Sequence, residues 1–258
     1  MSGRVVVVLV QPLHSGNVGA AARAMRNFGL EDLVLVDPPA YDPERARWMA
    51  PGCADLLAKA RIVRSVDEAL DGVHRVIGTT ARHRKLGQPV IEPAEFATLA
   101  ADEPGTTAIL FGREDDGLRN EELERCERLV RIATPEHASL NLGQAVLLVA
   151  HHWFEEQRRR GAWAPGRTLA GSGRSKSTAS AEPRGRKERR ADVGELEPAV
   201  AELLSLLDRV GYLRATPGQK VRATARQVLQ QATLTVKHVE ALRGMIARVR
   251  RAIDPPES

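Results

Sequence analysis

Three polar clusters in the first 160 residues combine glycine, amide, hydroxyl and charged side chains. The first, residues 14–19 (His-Ser-Gly-Asn-Val-Gly), follows an apolar run, Val5–Val10, and precedes a helical pattern. Valine-rich runs of this length are typical of strands that are buried on both faces. A loop between such a strand and a helix presents free backbone N–H groups to a ligand. The loop matches neither the dinucleotide nor the P-loop glycine motif, so taken alone it is either a simple tight turn or a ligand-binding loop.

The second cluster, residues 111–118 (Phe-Gly-Arg-Glu-Asp-Asp-Gly-Leu), begins at the end of a predicted strand, Thr106–Phe111. A glycine at this place, Gly112, lets a ligand approach the backbone because no side chain intervenes. The three consecutive carboxylates could indicate a metal site, but no histidine lies near them. We therefore interpret the two aspartates as a solvated acidic turn and keep Glu114 as a candidate functional residue.

The third cluster joins Ile132–Pro135 to Ser139–Leu142, just before a long amphipathic helix that we expect to end near Arg160. Serine is a favoured helix N-cap, so the spacing predicts that Ser139 caps this helix. Asn141 would then lie in the first helical turn, where asparagine is unfavourable. Its presence there indicates a functional role.

Strand and helix patterns alternate along the same 160 residues. The predicted strands are Val5–Val10, Leu33–Val36, Ile62-Val63, Val73–Ile77, Thr106–Phe111 and Leu129–Ile132. The predicted helices cover Val18–Phe28, Glu44–Ala60, a short segment opened by Ser65–Glu68, Glu121–Arg128 with Asn120 as its cap, and the long helix after Ser139. This alternation predicts an α/β fold, a parallel sheet covered by helices on both faces. Because the carboxyl ends of parallel strands meet at one edge, the three clusters should converge there.

The formal net charge of +5 is unevenly distributed along the chain. Residues 1–157 carry 17 basic and 23 acidic side chains, residues 158–190 carry 11 and 2, and residues 195–253 carry 10 and 5. Glycine, serine, arginine and lysine dominate residues 161–194, which indicates a flexible basic linker. In residues 195–253, the spacing of the leucines predicts a small helical unit. An acidic body with a basic tail is typical of polyanion-binding proteins, although a passive solvated linker would have the same composition.

Composition and patterning exclude several classes of protein. With 43% hydrophobic residues, the chain can bury a core and is not disordered. Its longest apolar runs, Val5–Val10 and Ala145–Ala150, are far shorter than the ~20 residues that cross a bilayer. No secretory signal pattern follows Met1, and the two cysteines, Cys53 and Cys126, form neither a CxxC motif nor a metal-ligand cluster. We expect a soluble cytoplasmic protein without disulfides, metal ions or membrane contact.

The three clusters together resemble the motifs of the SPOUT superfamily of RNA 2′-O-ribose methyltransferases. The resemblance covers about residues 1–160 and rests on Asn17-x-Gly19-x-x-x-Arg23, Phe111-Gly112-Arg113-Glu114-x-x-Gly117-Leu118 and Ser139-Leu140-Asn141-Leu142. Residues 117–123 (Gly-Leu-Arg-Asn-Glu-Glu-Leu) are also similar to the second motif of the TrmJ type, which methylates the ribose of nucleotide 32 in the tRNA anticodon loop. The resemblance implies a methyltransferase domain over residues 1–160 with a C-terminal deep trefoil knot, the linker 161–194, and an RNA-binding helical extension over 195–253.

The resemblance also implies a cofactor and partners: S-adenosylmethionine, the anticodon stem-loop of tRNA, and a second copy of the chain whose cofactor Arg23 reaches. The cofactor-binding positions match Thr79, Thr80, Ala81, Gly112, Ile132, Ser139, Leu140 and Asn141. The catalytic positions match Arg23, Glu114, Ser139 and Asn141, and the RNA-binding positions match Asn17, Arg23 and Arg113. We expect Glu114 to orient Arg23 or its RNA partner. No metal ion is expected, because a sulfonium methyl group is already an electrophile.

Several alternatives remain open on the sequence alone. A related enzyme could methylate ribosomal RNA or another position of tRNA, and a relative without catalytic activity could bind RNA only. A nucleotide-dependent dehydrogenase would also have an alternating α/β pattern, but the glycine motif that it needs is absent from the sequence. The sequence does not distinguish cytidine from uridine at position 32, nor one tRNA isoacceptor from another.

Overall fold

A computed structural model of the chain describes residues 3–81, 87–102, 104–135, 139–162, 189–215 and 218–253. It divides into two compact units, residues 1–170 and 171–258. Within the described residues of the first unit, seven strands form a single sheet: β1 Arg4–Val10, β2 Asp32–Val36, β3 Arg61–Val63, β4 Arg75–Thr79, β5 Val90–Ile91, β6 Thr106–Phe111 and β7 Arg128–Val130. All paired strands are parallel, in the order β3-β2-β1-β6-β4-β7-β5. The predicted α/β class with a parallel sheet is confirmed.

Helices follow most of these strands: α1 Ser15–Asn27, α2 Pro43–Trp48, α3 Ala54–Lys59, α4 Val66–Ala69, α5 Pro93–Asp102, α6 Asn120–Leu123 and α7 Leu142–Arg159. The chain passes from β1 outward to β2 and β3, and it then returns to build β4–β7 on the other side of β1. In open parallel sheets a reversal of this kind opens a crevice at the carboxyl ends of the strands, where ligands bind. The first and second clusters follow β1 and β6, which are neighbours at this reversal.

The main core lies between one face of the sheet and the helices α1, α5 and α7. Alternate residues of β1, beginning with Val5, belong to this core cluster, and all six residues of Val5–Val10 are at most 7% exposed. β1 is therefore buried on both faces, as its valine run predicts. Helix α7 packs closely on α1. A Cβ atom added at Gly143 would lie only 2.7 Å from the Cβ of Ala20, which leaves no room for a side chain at this position.

Several predicted element boundaries were wrong. The helix expected over Glu44–Ala60 is broken into α2 and α3, because Pro51 lacks a backbone donor and Gly52 adopts a φ of +77°. The helix expected over Glu121–Arg128 stops at Leu123 and includes Asn120, which had been expected to cap it. Strand β4 begins and ends two residues later than expected, β7 is the shorter segment Arg128–Val130, and β5 and α5 were not predicted.

The second unit is helical in its described residues, with α8 Val193–Arg209, α9 Tyr212–Ala215, α10 Gly218–Gln231 and α11 Val236–Ile253. A backbone bridge joins Arg190 to Thr235, and Asp192 caps α8 by accepting a hydrogen bond from the Glu195 N–H (2.9 Å). Residues 189–194, assigned to the linker from the sequence, therefore pack with this unit. Most of the expected linker, residues 163–188, lies outside the described residues. Residues 82–86 and 136–138, in the domain for which a C-terminal knot is expected, also lie outside them.

Candidate active site

A cavity of about 620 Å³ opens at the carboxyl ends of β4, β6 and β7. Its size lies within the range of roughly 300–1,000 Å³ that is usual for small-molecule sites. Seven of the eight expected cofactor residues line it: Thr79, Thr80, Ala81, Gly112, Ile132, Ser139 and Leu140. The eighth, Asn141, is exposed and is not among the lining residues. The second and third clusters therefore meet at one site, as the parallel sheet requires.

The cavity wall combines apolar side chains with backbone polar groups. Leu118, Val130, Leu142 and Ala145 provide the apolar part. The Thr79 hydroxyl donates to the Leu110 carbonyl oxygen (2.9 Å), which fastens the end of β4 to β6. A wall of this kind fits a ligand with a flat apolar ring and polar edges.

The loop after β6 folds back tightly over Gly112. A Cβ atom at this glycine would lie 2.1 Å from the carbonyl carbon of Gly117 and from the Leu118 nitrogen, so no other residue fits without moving the backbone. The loop is closed by an antiparallel bridge in which the Gly117 N–H donates to the Arg113 carbonyl oxygen (2.9 Å). Asp115 and Asp116 at its tip are exposed, in keeping with a solvated acidic turn.

Arg113 is buried beneath this loop, and its side chain is 6% exposed. Its guanidinium donates to Gln11 Oε1 (Nε, 2.7 Å), to Glu122 Oε1 (Nη2, 2.7 Å) and to the Gly117 carbonyl oxygen (Nη1, 3.2 Å). These contacts occupy the fork of the guanidinium inside the protein, so the expected RNA-binding role of Arg113 does not fit this geometry. Instead, Arg113 connects the cavity wall to the end of β1 through Gln11 and to α6 through Glu122.

Glu114 joins the second cluster to the first. Its Oε2 atom accepts from the Leu13 N–H (2.9 Å), and its Oε1 atom accepts from the His14 N–H (3.3 Å) and from Asn17 Nδ2 (2.7 Å). The carboxylate thus holds the turn that begins α1. It has no hydrogen bond to Arg23 among the described residues, and the expectation that Glu114 orients Arg23 directly is not supported by these contacts.

Asn141 joins the third cluster to the first. Its Oδ1 accepts from the Gly143 N–H (2.9 Å), and its Nδ2 donates to Asn17 Oδ1 (3.0 Å). Asn141 is therefore the N-cap of α7, and the prediction that Ser139 would cap this helix was wrong. Through the Asn17 side chain, one continuous set of hydrogen bonds connects Glu114 with Asn141.

Arg23 lies on the exposed side of α1. Within the described part of the chain, its guanidinium has no hydrogen-bond or ion-pair partner, and it is not among the residues that line the cavity. On α7, the apolar residues Leu142, Val146, Val149 and Trp153 are all buried within the same chain.

Sequence reasoning missed two residues of the site, Gln11 and Glu122. Gln11 follows β1 directly with a φ of +46°, and its Nε2 donates to Asp37 Oδ2 (2.6 Å) at the end of β2. A polar residue at the end of a central strand was the available signal for it. Neither cysteine takes part: both are free and buried, and burial raises the pKa of the Cys126 thiol.

The described residues contain no group of three histidine, cysteine or carboxylate side chains that could hold a metal ion. Nor does any helix in the described ranges have the length and hydropathy to cross a bilayer.

Comparison with known proteins gives consistent matches. Residues 4–151 match the SpoU rRNA Methylase family. The tRNA (cytidine/uridine/adenosine-2′-O-)-methyltransferase TrmJ of Pseudomonas aeruginosa is 35% identical over 97% of this chain and 95% of its own length. The tRNA (cytidine/uridine-2′-O-)-methyltransferase TrmJ of Pectobacterium atrosepticum is 33% identical over 98% of this chain and 100% of its own length.

Solved structures agree with the sequence matches. The crystal structure of TrmJ from Z. mobilis superposes with a TM-score of 0.75 at 30% identity, over 95% of this chain and 98% of that one. A probable methylase family protein from Haemophilus influenzae superposes with a TM-score of 0.59 at 31% identity over 100% of both chains. With residues 4–151 inside the matched region and near full-length relatives above 30% identity, this chain belongs to the SpoU rRNA methylase family.

Proposed function

We propose that this chain is a tRNA 2′-O-methyltransferase that acts in the cytoplasm on the ribose of nucleotide 32, cytidine or uridine, with S-adenosylmethionine as methyl donor. The observation that carries the proposal is the convergence of the three clusters. Two of them wall one cavity, and Glu114 and Asn141 bond through Asn17 to the helix that carries Arg23. Relatives that align over nearly the whole chain and are named tRNA 2′-O-methyltransferases support it.

The cavity fits the proposed cofactor in size and in chemistry. The apolar part of the wall suits a purine ring, and the backbone at Gly112 and around Ile132 suits its polar edge and ribose. Thr79, Thr80 and Ala81 would hold the cofactor from the end of β4, and Ser139 and Leu140 from the segment before α7. We further propose that the C-terminal part of this domain forms the deep trefoil knot of SPOUT proteins.

When bound, S-adenosylmethionine supplies an electrophilic methyl group, and the chain's own residues must orient the ribose hydroxyl and let its proton leave. A guanidinium offers N–H donors and no acceptor, so Arg23 acts as a donor to the 2′-oxygen or to the neighbouring phosphate and not as a base. The hydroxyl proton then passes to that phosphate or to water. Glu114, Asn17 and Asn141 hold the start of α1, and so fix where the helix presents Arg23.

We also propose that the active unit is a homodimer with shared sites. Arg23 does not line the cavity of its own chain, so a second copy would place it at the cavity of the partner. The basic segment 158–190 and the helical unit would supply a charge-driven attraction for the anticodon stem-loop, since the first 157 residues carry an excess of acidic side chains.

Nucleoside mass spectrometry of tRNA from cells that lack this chain tests the proposal. We expect 2′-O-methylcytidine or 2′-O-methyluridine to disappear from position 32 and to return on re-expression of the wild type. Unchanged tRNA with altered ribosomal RNA, or loss at another tRNA position, would refute the assigned substrate. A calorimetric failure to bind S-adenosylmethionine would instead favour an RNA-binding relative without catalysis.

A further inference from the structure

Trp48, the last residue of α2, is 77% exposed, although tryptophan is among the side chains that gain most from burial. Met49 beside it is 53% exposed. Ala46, on the other side of the same short helix, is fully buried and anchors α2 to the protein. The exposed indole is therefore presented by a helix that is itself fixed in place.

Helix α2 crosses α1 close to the first cluster. A Cβ atom at Gly19 would lie 2.1 Å from the Ala46 carbonyl oxygen, and one at Gly16 would contact the Met49 side chain at 3.5 Å. Gly16, Gly19 and Arg23 follow one another at three- and four-residue spacing, so they share one face of α1. Helical side chains also lean toward the N-terminus of their helix, which directs Arg23 back toward the crossing with α2. The exposed indole and the exposed guanidinium of Arg23 thus belong to two helices that are in contact, α2 and α1.

Two arginines flank the indole on α2, in a unit whose first 157 residues carry an excess of acidic side chains. Arg45 and Arg47 are both exposed. The Nε atom of Arg45 lies 3.4 Å from Asp42 Oδ2, in an ion pair whose side chains are 72% and 44% exposed. Exposed pairs of this kind contribute little to stability, so a phosphate can replace the carboxylate at small cost.

We propose that Trp48, with Arg45 and Arg47, forms a stacking platform for an unpaired base of the RNA strand whose ribose Arg23 holds. This inference rests on the proposed RNA substrate. Proteins bind single-stranded RNA by stacking its bases on aromatic faces while arginine and lysine contact the backbone. The bases of an anticodon loop are unpaired and can be splayed onto such a face, whereas a paired helix offers none. The platform would hold the nucleotides beside the one that is methylated.

Kinetics and fluorescence with full-length protein test the platform. The RNA is an anticodon stem-loop with 2-aminopurine at a loop position next to nucleotide 32, and the variants are Trp48→Ala and Trp48→Phe. Loss of one stacked base weakens binding by roughly 5- to 150-fold, so Trp48→Ala should raise the KM for RNA by that factor with little change in kcat. It should also abolish quenching of 2-aminopurine on binding. Trp48→Phe keeps an aromatic face and should restore most of both signals. The control is Ile62→Ala, a 59% exposed residue on edge strand β3, and it should behave as the wild type.

Salt dependence separates stacking from charge. Trp48→Ala should leave the slope of log K against log salt unchanged. An Arg45→Gln, Arg47→Gln double variant should reduce that slope by about 1.4, at about 0.7 per phosphate contact with a single strand. An unchanged slope in the double variant would overturn the part assigned to the arginines.

Three results decide the proposal. Wild-type KM and wild-type quenching in Trp48→Ala would overturn it. A change of oligomeric state in Trp48→Ala by light scattering, with RNA binding intact, would also overturn it and assign Trp48 to a contact between copies. If the wild type transfers no methyl group to tRNA but still quenches 2-aminopurine through Trp48, the platform is supported while the proposed reaction is refuted.

Discussion

At the residue scale, the side-chain amide of Asn141 makes two contacts, one through its oxygen and one through its NH₂ group. The oxygen caps α7 at the Gly143 N–H, and the NH₂ group bonds to Asn17. Asparagine is favoured at an N-cap, so its position needs no functional explanation of the kind that the sequence suggested. The bond to Asn17 is the contact that a capping role does not require.

Two substitutions at Asn141 distinguish these roles. Asn141→Asp keeps an acceptor for the Gly143 N–H but cannot donate to Asn17, whereas Asn141→Ala loses both contacts. We expect both variants to lose methyl transfer on the order of 100-fold, because a misplaced α1 shifts Arg23. Only Asn141→Ala should lose about 1 kcal/mol of stability, the usual value of a cap. Rates measured with tRNA and thermal melting check this, and near wild-type turnover in Asn141→Asp would contradict it.

A second prediction at the residue scale concerns the contribution of the buried Arg113–Glu122 ion pair to stability. Removing one partner of a buried ion pair leaves the other charged and unpaired, so Arg113→Gln should cost about 3–5 kcal/mol and loosen the cavity wall. The control is Arg125→Gln, whose pair with Asp67 has side chains 26% and 63% exposed and should be worth no more than about 1 kcal/mol. Urea unfolding and calorimetry with S-adenosylmethionine measure both effects. If Arg113→Gln is as stable as the wild type but binds tRNA poorly, Arg113 contacts RNA after all.

At the scale of elements, two close helix crossings hold α1 in place. Gly143 of α7 lies against Ala20, and Gly19 lies against the Ala46 carbonyl oxygen of α2. Small residues therefore let both neighbouring helices approach the backbone of α1.

Glycine-to-alanine substitutions on α1 test this packing. Gly19→Ala forces a Cβ to within 2.1 Å of a backbone oxygen, so α2 must move and the melting temperature should fall by several degrees. In Gly16→Ala, the new Cβ makes an ordinary 3.5 Å contact, and the gain in helix propensity should leave stability unchanged or raised by up to about 1 kcal/mol. Calorimetric melting compares the two. Equal melting temperatures would show that α2 can shift freely on α1.

At the scale of the whole molecule, the shared site predicts complementation between two inactive variants. Mixing Arg23→Ala with Gly112→Ala, which forces the loop over the cavity of its own chain to move, should form heterodimers in which one site has lost both functions and the other is intact. Because half of randomly assorted dimers are mixed and each has one good site, activity should recover toward about one quarter of wild type. Differential tags verify subunit exchange. A mixture that exchanges subunits and stays inactive would show that each chain builds its own site.

The basic part of the chain predicts a second property of the whole molecule. A chain that ends at Arg160 keeps every residue of the main core cluster. It also keeps the hydrogen bonds that Arg159 and Arg160 donate to Glu156. These bonds lower the pKa of Glu156 to about 2, so its carboxylate stays ionised under assay conditions. This shortened chain should bind S-adenosylmethionine as the full chain does, but it should bind tRNA more weakly and with a smaller salt dependence. If the full and shortened chains bind tRNA with equal affinity at every salt concentration, the basic segment does not contribute to tRNA binding.

The fold class and the place of the site could be predicted from the sequence because local patterns determine both. The runs Val5–Val10 and Thr106–Phe111 are strands with almost the predicted bounds, since apolar runs of this length and composition fit a buried parallel sheet. Parallel strands then bring their carboxyl ends to one edge, and the loops that follow them meet there whatever the details of packing. Of the eight cofactor residues that the family resemblance implies, seven line the cavity at this edge.

The partner of each polar side chain was decided only by the tertiary structure. Glu114 bonds to Leu13 and Asn17, about a hundred residues earlier, and Asn141 bonds to Asn17 across 124 positions of sequence. The resemblance implies that Arg113 binds RNA, but its side chain is buried because Gln11, at the end of β1, and Glu122, on α6, bond to it. Hydrogen bonds act over about 3 Å and depend on direction, so they are specified by how the elements pack, whereas strand and helix patterns depend on neighbours in the chain.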